Sequence, residues 1–202
     1  FAEKEQPAAI LDVNRADQMS MFGAKYIETD AERAERVRVS IPKKMGLEAQ
    51  DLLEKAFLTC LPEKELHIYR LMRYGYEKGS VVLRDLGDER VHIIHQAVGH
   101  LNEEAHLLTG FTRFSDYDGV LMGEIEPKNR VLPLLRRHFV GRYNTEQFLL
   151  YDRTHKEALF YAGGKAIIRN CTNTGSVGGA ESGAGGIAGG NSGTALIEGC
   201  TN

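Results

Sequence analysis

A basic excess is the first thing this chain lacks. Its 25 lysines and arginines stand against 28 acids, a formal net charge of −3. No whole-chain field draws it to nucleic acid, so any such surface has to be local. Cysteine is scarce: Cys60, Cys171 and Cys200 are too few and too scattered for a disulfide framework or a zinc site. Cys60, inside an apolar helical pattern, is expected to be a buried thiol. No apolar run approaches the roughly 18 residues of a membrane helix, and no signal peptide is visible; a cytoplasmic chain without membrane contact is expected. Gly-x-Ser-x-Gly, P-loop, dinucleotide and His-Glu-x-x-His patterns are absent as well. The sequence therefore declares no reaction and no cofactor. What it does have is 202 residues, 42% of them hydrophobic and 26% charged, enough for a globular body with a real core.

The first half reads as helices. Thr29 or Asp30 caps one over about 31–40, with Glu32 and Arg36 at i,i+4 and Pro42 as its stop. Leu52, Leu53, Ala56, Phe57 and Cys60 recur at helical spacing within 47–60. Pro62 opens a helix that runs to about Tyr76, and a long helix over about 88–108 is closed by Thr109-Gly110. The second half alternates: strands at 111–114 and 120–125 flank a turn at 116–119, a helix follows at 131–140, then strands at 148–151 and 158–161. Helices followed by a small antiparallel sheet with one inserted helix make an α+β order.

After Gly163 the composition changes, with 12 glycines in the last 40 residues. Within this stretch AIIRNCTN at 166–173 recurs as ALIEGCTN at 195–202, a period of 29 residues. That repeat predicts a Gly-rich β-solenoid-like tail, whereas a disordered Gly/Ser linker explains the composition alone. The expected division is a body at 1–162 and a tail at 163–202. A chain that opens on Phe1 rather than Met and stops within a repeat reads as a fragment at both ends.

Three groups of residues carry chemical potential. On the long helix His92, His95, Gln96, Gly99, Glu103 and His106 share one arc. A di-metal bundle needs a second helix with inward carboxylates, which the sequence does not supply, so the arc reads as a solvated face and no metal is expected. Lys128, Arg130, Arg136, Arg137 and Arg142 fall within fifteen residues that contain no acid, and arginine presents a planar fork that fits phosphate. Phe111, Phe114, Tyr143 and Phe148 lie nearby as stacking candidates. The alternative is an ordinary solvated face paired with Glu124, Glu126 and Asp152. Glu104, Glu124, Glu126 and Asp152 are acid/base candidates if brought together, and Glu124 and Glu126 share a strand face by period two.

The body also carries a set of local motifs: Glu-Thr-Asp and Glu-Arg-Ala-Glu-Arg-Val within 28–37, Glu-Ala-His at 104–106, Gly-Phe-x-Arg-Phe at 110–114, Ile-Glu-Pro-Lys-Asn at 125–129, Val-Leu-Pro-Leu-Leu at 131–135, His-Phe-x-x-Arg at 138–142 and Tyr-Asp-Arg at 151–153. On these the chain resembles, over nearly all of 1–162, a bacterial domain family of unknown function found in proteins assigned to DNA repair or DNA metabolism. The resemblance implies a radical SAM protein as neighbour and partner, and kinship with domains fused to uracil-DNA-glycosylase-like modules. Many relatives have Asp-His where this chain has Lys128-Asn129, which argues against a catalytic histidine at 129, and a Trp where it has Phe148. The resemblance implies a start some twenty residues earlier and brings no established reaction; it leaves Glu104, His106, Arg113, His138, Arg142 and Asp152 as positions to follow. The tail resembles GLUG-type repeats of surface proteins, and an artefactual join near Tyr161–Lys165 is the expected explanation, with a genuine fusion as the other.

Three functions follow as expectations. The first is a DNA-repair protein acting as a nucleic-acid-binding accessory of a radical SAM protein, touching DNA through Arg113, Lys128, Arg130, Arg136, Arg137 and Arg142. The second is a base-excision hydrolase whose catalytic candidates are Glu104, His106, His138 and Asp152. The third is a piece of a surface repeat protein. Alternation places Arg113 on a strand with Phe111, and the sequence then predicts that Arg113 and Arg142 reach one concave surface near His106, holding a phosphate or pairing with Asp152.

Overall fold

Asp30 starts the first helix: its carboxylate accepts the Arg33 backbone N–H at 2.9 Å, satisfying one of the donors that a helix end leaves open. In this computed structural model, which describes residues 7–10 and 27–170, α1 spans Ala31–Met45, α2 Leu47–Leu58, α3 Lys64–Lys78 and α4 Glu89–Phe111, with a 3₁₀ turn at Gly79–Arg84. The chain divides between Leu101 and Asn102 into two units, and α4 supplies residues to each.

Two helices stop later than proline and glycine predict. α1 passes through Pro42. Proline deletes one intrahelical donor, but Ile41 and Met45 beside it are buried and hold the turn in place. The stop comes at Gly46, at a φ of 91° that favours glycine. Likewise α4 runs past Thr109-Gly110, because a glycine inside a helix weakens it without forbidding it. α2, by contrast, ends at Leu58, so the helical period no longer applies at Cys60, which is exposed rather than buried. The core of this unit gathers Met45, Ala49, Leu53, Leu71, Val82, Val91 and Ile94.

The second unit is a five-stranded sheet with one helix on it. β1 Phe114–Tyr117, β2 Val120–Ile125, β3 Gln147–Asp152, β4 Glu157–Ala162 and β5 Lys165–Asn170 lie in sequence order across the sheet, and α5 Leu132–Arg142 connects β2 to β3. Asp118 and Gly119, at φ 51° and 84°, form the two-residue turn that joins β1 to β2. β2 and β3 are parallel, from Val120 opposite Gln147 to Ile125 opposite Asp152. This corrects the expected all-antiparallel sheet. A helical crossover returns the chain to the end where β2 began, so the next strand has to run the same way. β3, β4 and β5 then form an antiparallel meander, turning between β4 and β5 at Gly163–Gly164. Residues 165–170, counted in the sequence with the tail, are thus a strand of the sheet. The repeat copy at 195–202 and the solenoid expectation from 171 onward lie outside the described residues.

One face of this sheet is its core. Phe114 faces Gly123 across the β1–β2 pair, and a Cβ on Gly123 would stand 3.0 Å from the Phe114 ring and from the Arg113 carbonyl. The missing side chain makes the slot in which that ring lies. Phe114 meets Phe139 of α5 edge to face at 5.3 Å and Phe148 at 5.9 Å, and Phe148 stacks on Tyr161 at 5.4 Å. Leu132, Leu135 and Phe139, spaced for one helical face, press α5 onto these rings.

At the start of α4, Asp88 accepts the Arg90 backbone N–H at 2.9 Å and its guanidinium at 2.6 Å. The hydrogen bond from Arg90 holds the Asp88 carboxyl down at about 2, against an opposing push from desolvation. Arg90 also lies 3.7 Å over the Tyr74 ring, whose hydroxyl donates to Asp85 at 2.5 Å. Replacing Asp88 by Ala is expected to lower stability by about 1 kcal/mol, the usual worth of a lost N-cap. Because the folded carboxyl is depressed, its contribution is complete above its ordinary value of 3.8 and disappears as pH falls through about 2. Urea unfolding at pH 7 and pH 2 measures this, and the two proteins should differ at the first and converge at the second.

Candidate functional site

Glu104, in the last third of α4, accepts three hydrogen bonds from one short segment. Lys128 N–H donates to Oε1 at 2.8 Å, while Asn129 N–H and Nδ2 donate to Oε2 at 2.9 and 2.7 Å. The carboxylate is half-buried and Asn129 is buried. A carboxylate saturated by fixed backbone donors is a structural clamp: it locks the connection between β2 and α5, and its lone pairs are turned away from any substrate.

A second polar cluster lies where the parallel strands end. Asp152 closes β3 with no exposure at all and accepts from His155, through the backbone N–H at 3.1 Å and through Nδ1 at 2.7 Å. Glu157 opens β4 directly opposite Asp152 and is also buried. Two carboxylates facing each other across a strand pair repel, and each has its own counterpart, since Arg130 donates to Glu157 from the loop before α5. Sequence reasoning missed both His155 and Glu157. An acid three residues before a histidine, across a predicted turn, was the available signal for the first. For the second it was period two with Leu159 and Tyr161, which puts Glu157 on the core face.

Of the expected cations, Lys128, Arg136, Arg137 and Arg142 are exposed and make no ion pair among the described residues, whereas Arg130 is committed to Glu157. Arg142 ends α5 with its guanidinium 5.6 Å from the Tyr143 ring centre. Arg113 is not on a strand. It follows α4 and donates to the Gly110 carbonyl at 3.1 Å, capping that helix end. Asp152 pairs with neither arginine among the described residues. The expected counter-acids are elsewhere too, Glu124 binding Arg153 at 3.0 Å and Glu126 exposed.

Among the stacking candidates, Phe148 is fully buried and Phe114 is packed into the ring cluster, so both belong to the core; Phe111 is 71% exposed. His106 and His138 are exposed and bind no carboxylate among the described residues. On the histidine arc of α4, His92, Gln96, Glu103 and His106 are exposed, while His95 is half-buried with its Nε2 enclosed and unpartnered among the described residues. No group of three metal-ligating side chains forms there, again among the described residues.

The arrangement of α3, α4, the sheet and α5 coincides with a family match over residues 62–186, to DUF4130, a domain of unknown function. The chain belongs to the DUF4130 family. No curated protein and no solved structure matches it. The DUF4130 match takes in both polar clusters and every cation of this subsection, and it starts beyond α1 and α2.

Glu104→Gln turns an amide N–H₂ toward backbone donors, so either Gln or Ala at this position is expected to cost about 2–3 kcal/mol, the scale of hydrogen bonds to a charged group. Asn129→Ala, which removes only the Nδ2 bond, should cost less. Urea unfolding of the three variants checks the order, and a neutral Glu104→Ala would contradict the clamp.

Proposed function

We propose that this DUF4130 chain binds nucleic acid through the cations that flank and line α5, as an accessory in DNA repair beside a radical SAM partner in the cytoplasm. The carrying observation is the state of the charges. Lys128, Arg136, Arg137 and Arg142 have no acidic partner among the described residues, although the chain as a whole is acidic. Glu104 fixes the backbone at Lys128, which lowers the entropy that a phosphate contact has to overcome. Arg113, beside the end of α4, extends the same set. The repair context and the radical SAM partner come from the motif resemblance of the body.

A carboxylate–histidine hydrolase is the second reading, and Asp152–His155 is the observation that favours it. Its catalytic histidine would be His155, and neither His106 nor His138. Release of a base from a lesion-bearing strand, lost in His155→Ala, would establish it. The surface-repeat reading rests on residues from 171 onward, outside the described ones.

Binding through phosphate contacts at these five cations predicts a log–log salt slope of about −3.5 on single strands and about −4.5 on duplex. Arg136→Ala/Arg137→Ala, both exposed on α5, should flatten it by about 1.5–2 and weaken binding at least tenfold at low salt. Fluorescence anisotropy across a salt series measures both. A wild-type affinity independent of salt, or a double variant that binds like wild type, would rule this interface out.

A further inference from the structure

Two connections meet at the carboxyl ends of the parallel strands β2 and β3. The loop after β2 carries Glu126, Lys128 and Arg130, and the turn after β3 carries Arg153, Thr154, His155 and Lys156. They are tied together there: the Arg153 backbone N–H donates to the Ile125 carbonyl at 3.0 Å, and Arg130 donates to Glu157 at the start of β4. Open sheets with parallel strands take their ligands at this edge, where the connections leave in different directions.

His155 is the group at this edge whose chemistry is still open. Its Nδ1 lies 2.7 Å from Oδ2 of the fully buried Asp152 and donates to it. That bond orients the ring and leaves the lone pair of the neutral imidazole on Nε2. Nε2 has no hydrogen-bond partner among the described residues, and it is not enclosed: the side chain is 15% exposed, and the one enclosed nitrogen without a partner belongs to His95. An oriented ring with its basic nitrogen outward is a proton acceptor for a bound molecule. No hydroxyl or thiol of the described residues lies within a hydrogen bond of Nε2, so this base has no nucleophile of its own among them. The nucleophile then belongs to the substrate.

Charge narrows the substrate class. Arg130 and Arg153 are paired with Glu157 and Glu124. Among the exposed charges of this edge, pairing leaves Lys128 and Lys156 against Glu126, none of the three with a partner among the described residues. Two ammonium groups beside a base suit a phosphodiester, whose charge grows as a further oxygen adds to phosphorus. A 2′-hydroxyl next to that phosphorus is a nucleophile already in place, and such intramolecular attack carries a large effective molarity. The same hydroxyl is what separates RNA from DNA.

Resting on the nucleic-acid reading above, we propose that the Asp152–His155 pair cleaves nucleic-acid strands at a ribonucleotide. Nε2 takes the proton of the 2′-hydroxyl, the O2′–P bond forms and the P–O5′ bond breaks. The leaving 5′ oxygen takes a proton from water, and the imidazolium returns its proton to the hydroxide so formed. The products are a 2′,3′-cyclic phosphate and a 5′-hydroxyl end. His155 is the catalytic residue, Asp152 positions it, and Lys128 and Lys156 offset the charge on phosphorus.

The test incubates the full chain with an oligodeoxynucleotide that carries one internal ribonucleotide, beside the all-deoxy strand of the same sequence. Mass spectrometry reads the products, and anisotropy reads binding of the all-deoxy strand. The wild type is expected to cut only at the ribonucleotide and to leave the cyclic phosphate. His155→Asn keeps an amide N–H for Asp152 but has no basic nitrogen. It should lower the rate about a hundredfold or more, within the range of a general base, with melting temperature and all-deoxy affinity unchanged. Added imidazole should restore part of the rate to His155→Ala. An uncut ribonucleotide strand, with the all-deoxy strand bound in a salt-dependent way, overturns the cleavage and leaves the α5 interface standing. A 3′-hydroxyl with a 5′-phosphate assigns the attack to water and overturns it as well, as do equal rates in the wild type and His155→Asn. Neither binding nor cutting by the wild type overturns both.

Discussion

The carboxylate of Glu104 is the constraint on which the second unit depends. Its two oxygens take up two backbone N–H groups and a side-chain amide of Lys128 and Asn129. The connection leaving β2 therefore has one conformation. From that point the chain enters α5 with Leu132, Leu135 and Phe139 directed at the sheet, and a parallel return to β3 follows. Loosening the loop would free the helix that the aromatic cluster grips from the other side.

The two polar clusters divide two tasks that sequence alone confounds. Glu104 and the Asp152–His155 and Arg130–Glu157 pairs neutralise charge where strand ends and loops meet. Buried pairs of this kind contribute little net stability, but breaking one of them leaves an uncompensated charge. Their effect is to occupy the buried acids of the unit with local partners. The cations of α5 remain solvated and unmatched among the described residues, and a chain of net charge −3 still presents a local positive surface.

Periodicity made much of the fold legible. The strand expected over 120–125 agrees with the structure, the helix expected over 131–140 lies at Leu132–Arg142, and the turn expected over 116–119 narrows to Asp118–Gly119, because all three are set by residues close in sequence. Pro42 and Gly110 misled because burial of Ile41 and Met45 around the first, and a tolerated interior glycine in the second, outweighed the local stop signals. Strand direction was hidden for a different reason: period two says which face a residue takes and nothing about whether neighbours run parallel. The candidate site was legible as composition only. The run of cations from Lys128 to Arg142 could be seen, but the pairing of Arg130 with Glu157, the capping of α4 by Arg113 and the burial of Phe148 depend on contacts between residues far apart in sequence or on which side of an element a side chain falls. His155 escaped notice because its meaning comes from Asp152 across a turn.

The proposed binding of nucleic acid by the unpaired cations that flank and line α5 is the central claim. Hydrogen exchange of the full chain, with and without saturating oligothymidine at low salt, tests it most directly. The account predicts slower exchange in the bound state over 128–142, with residues 31–84 unchanged. Protection confined to 31–84, or no difference anywhere in 128–142, would contradict it.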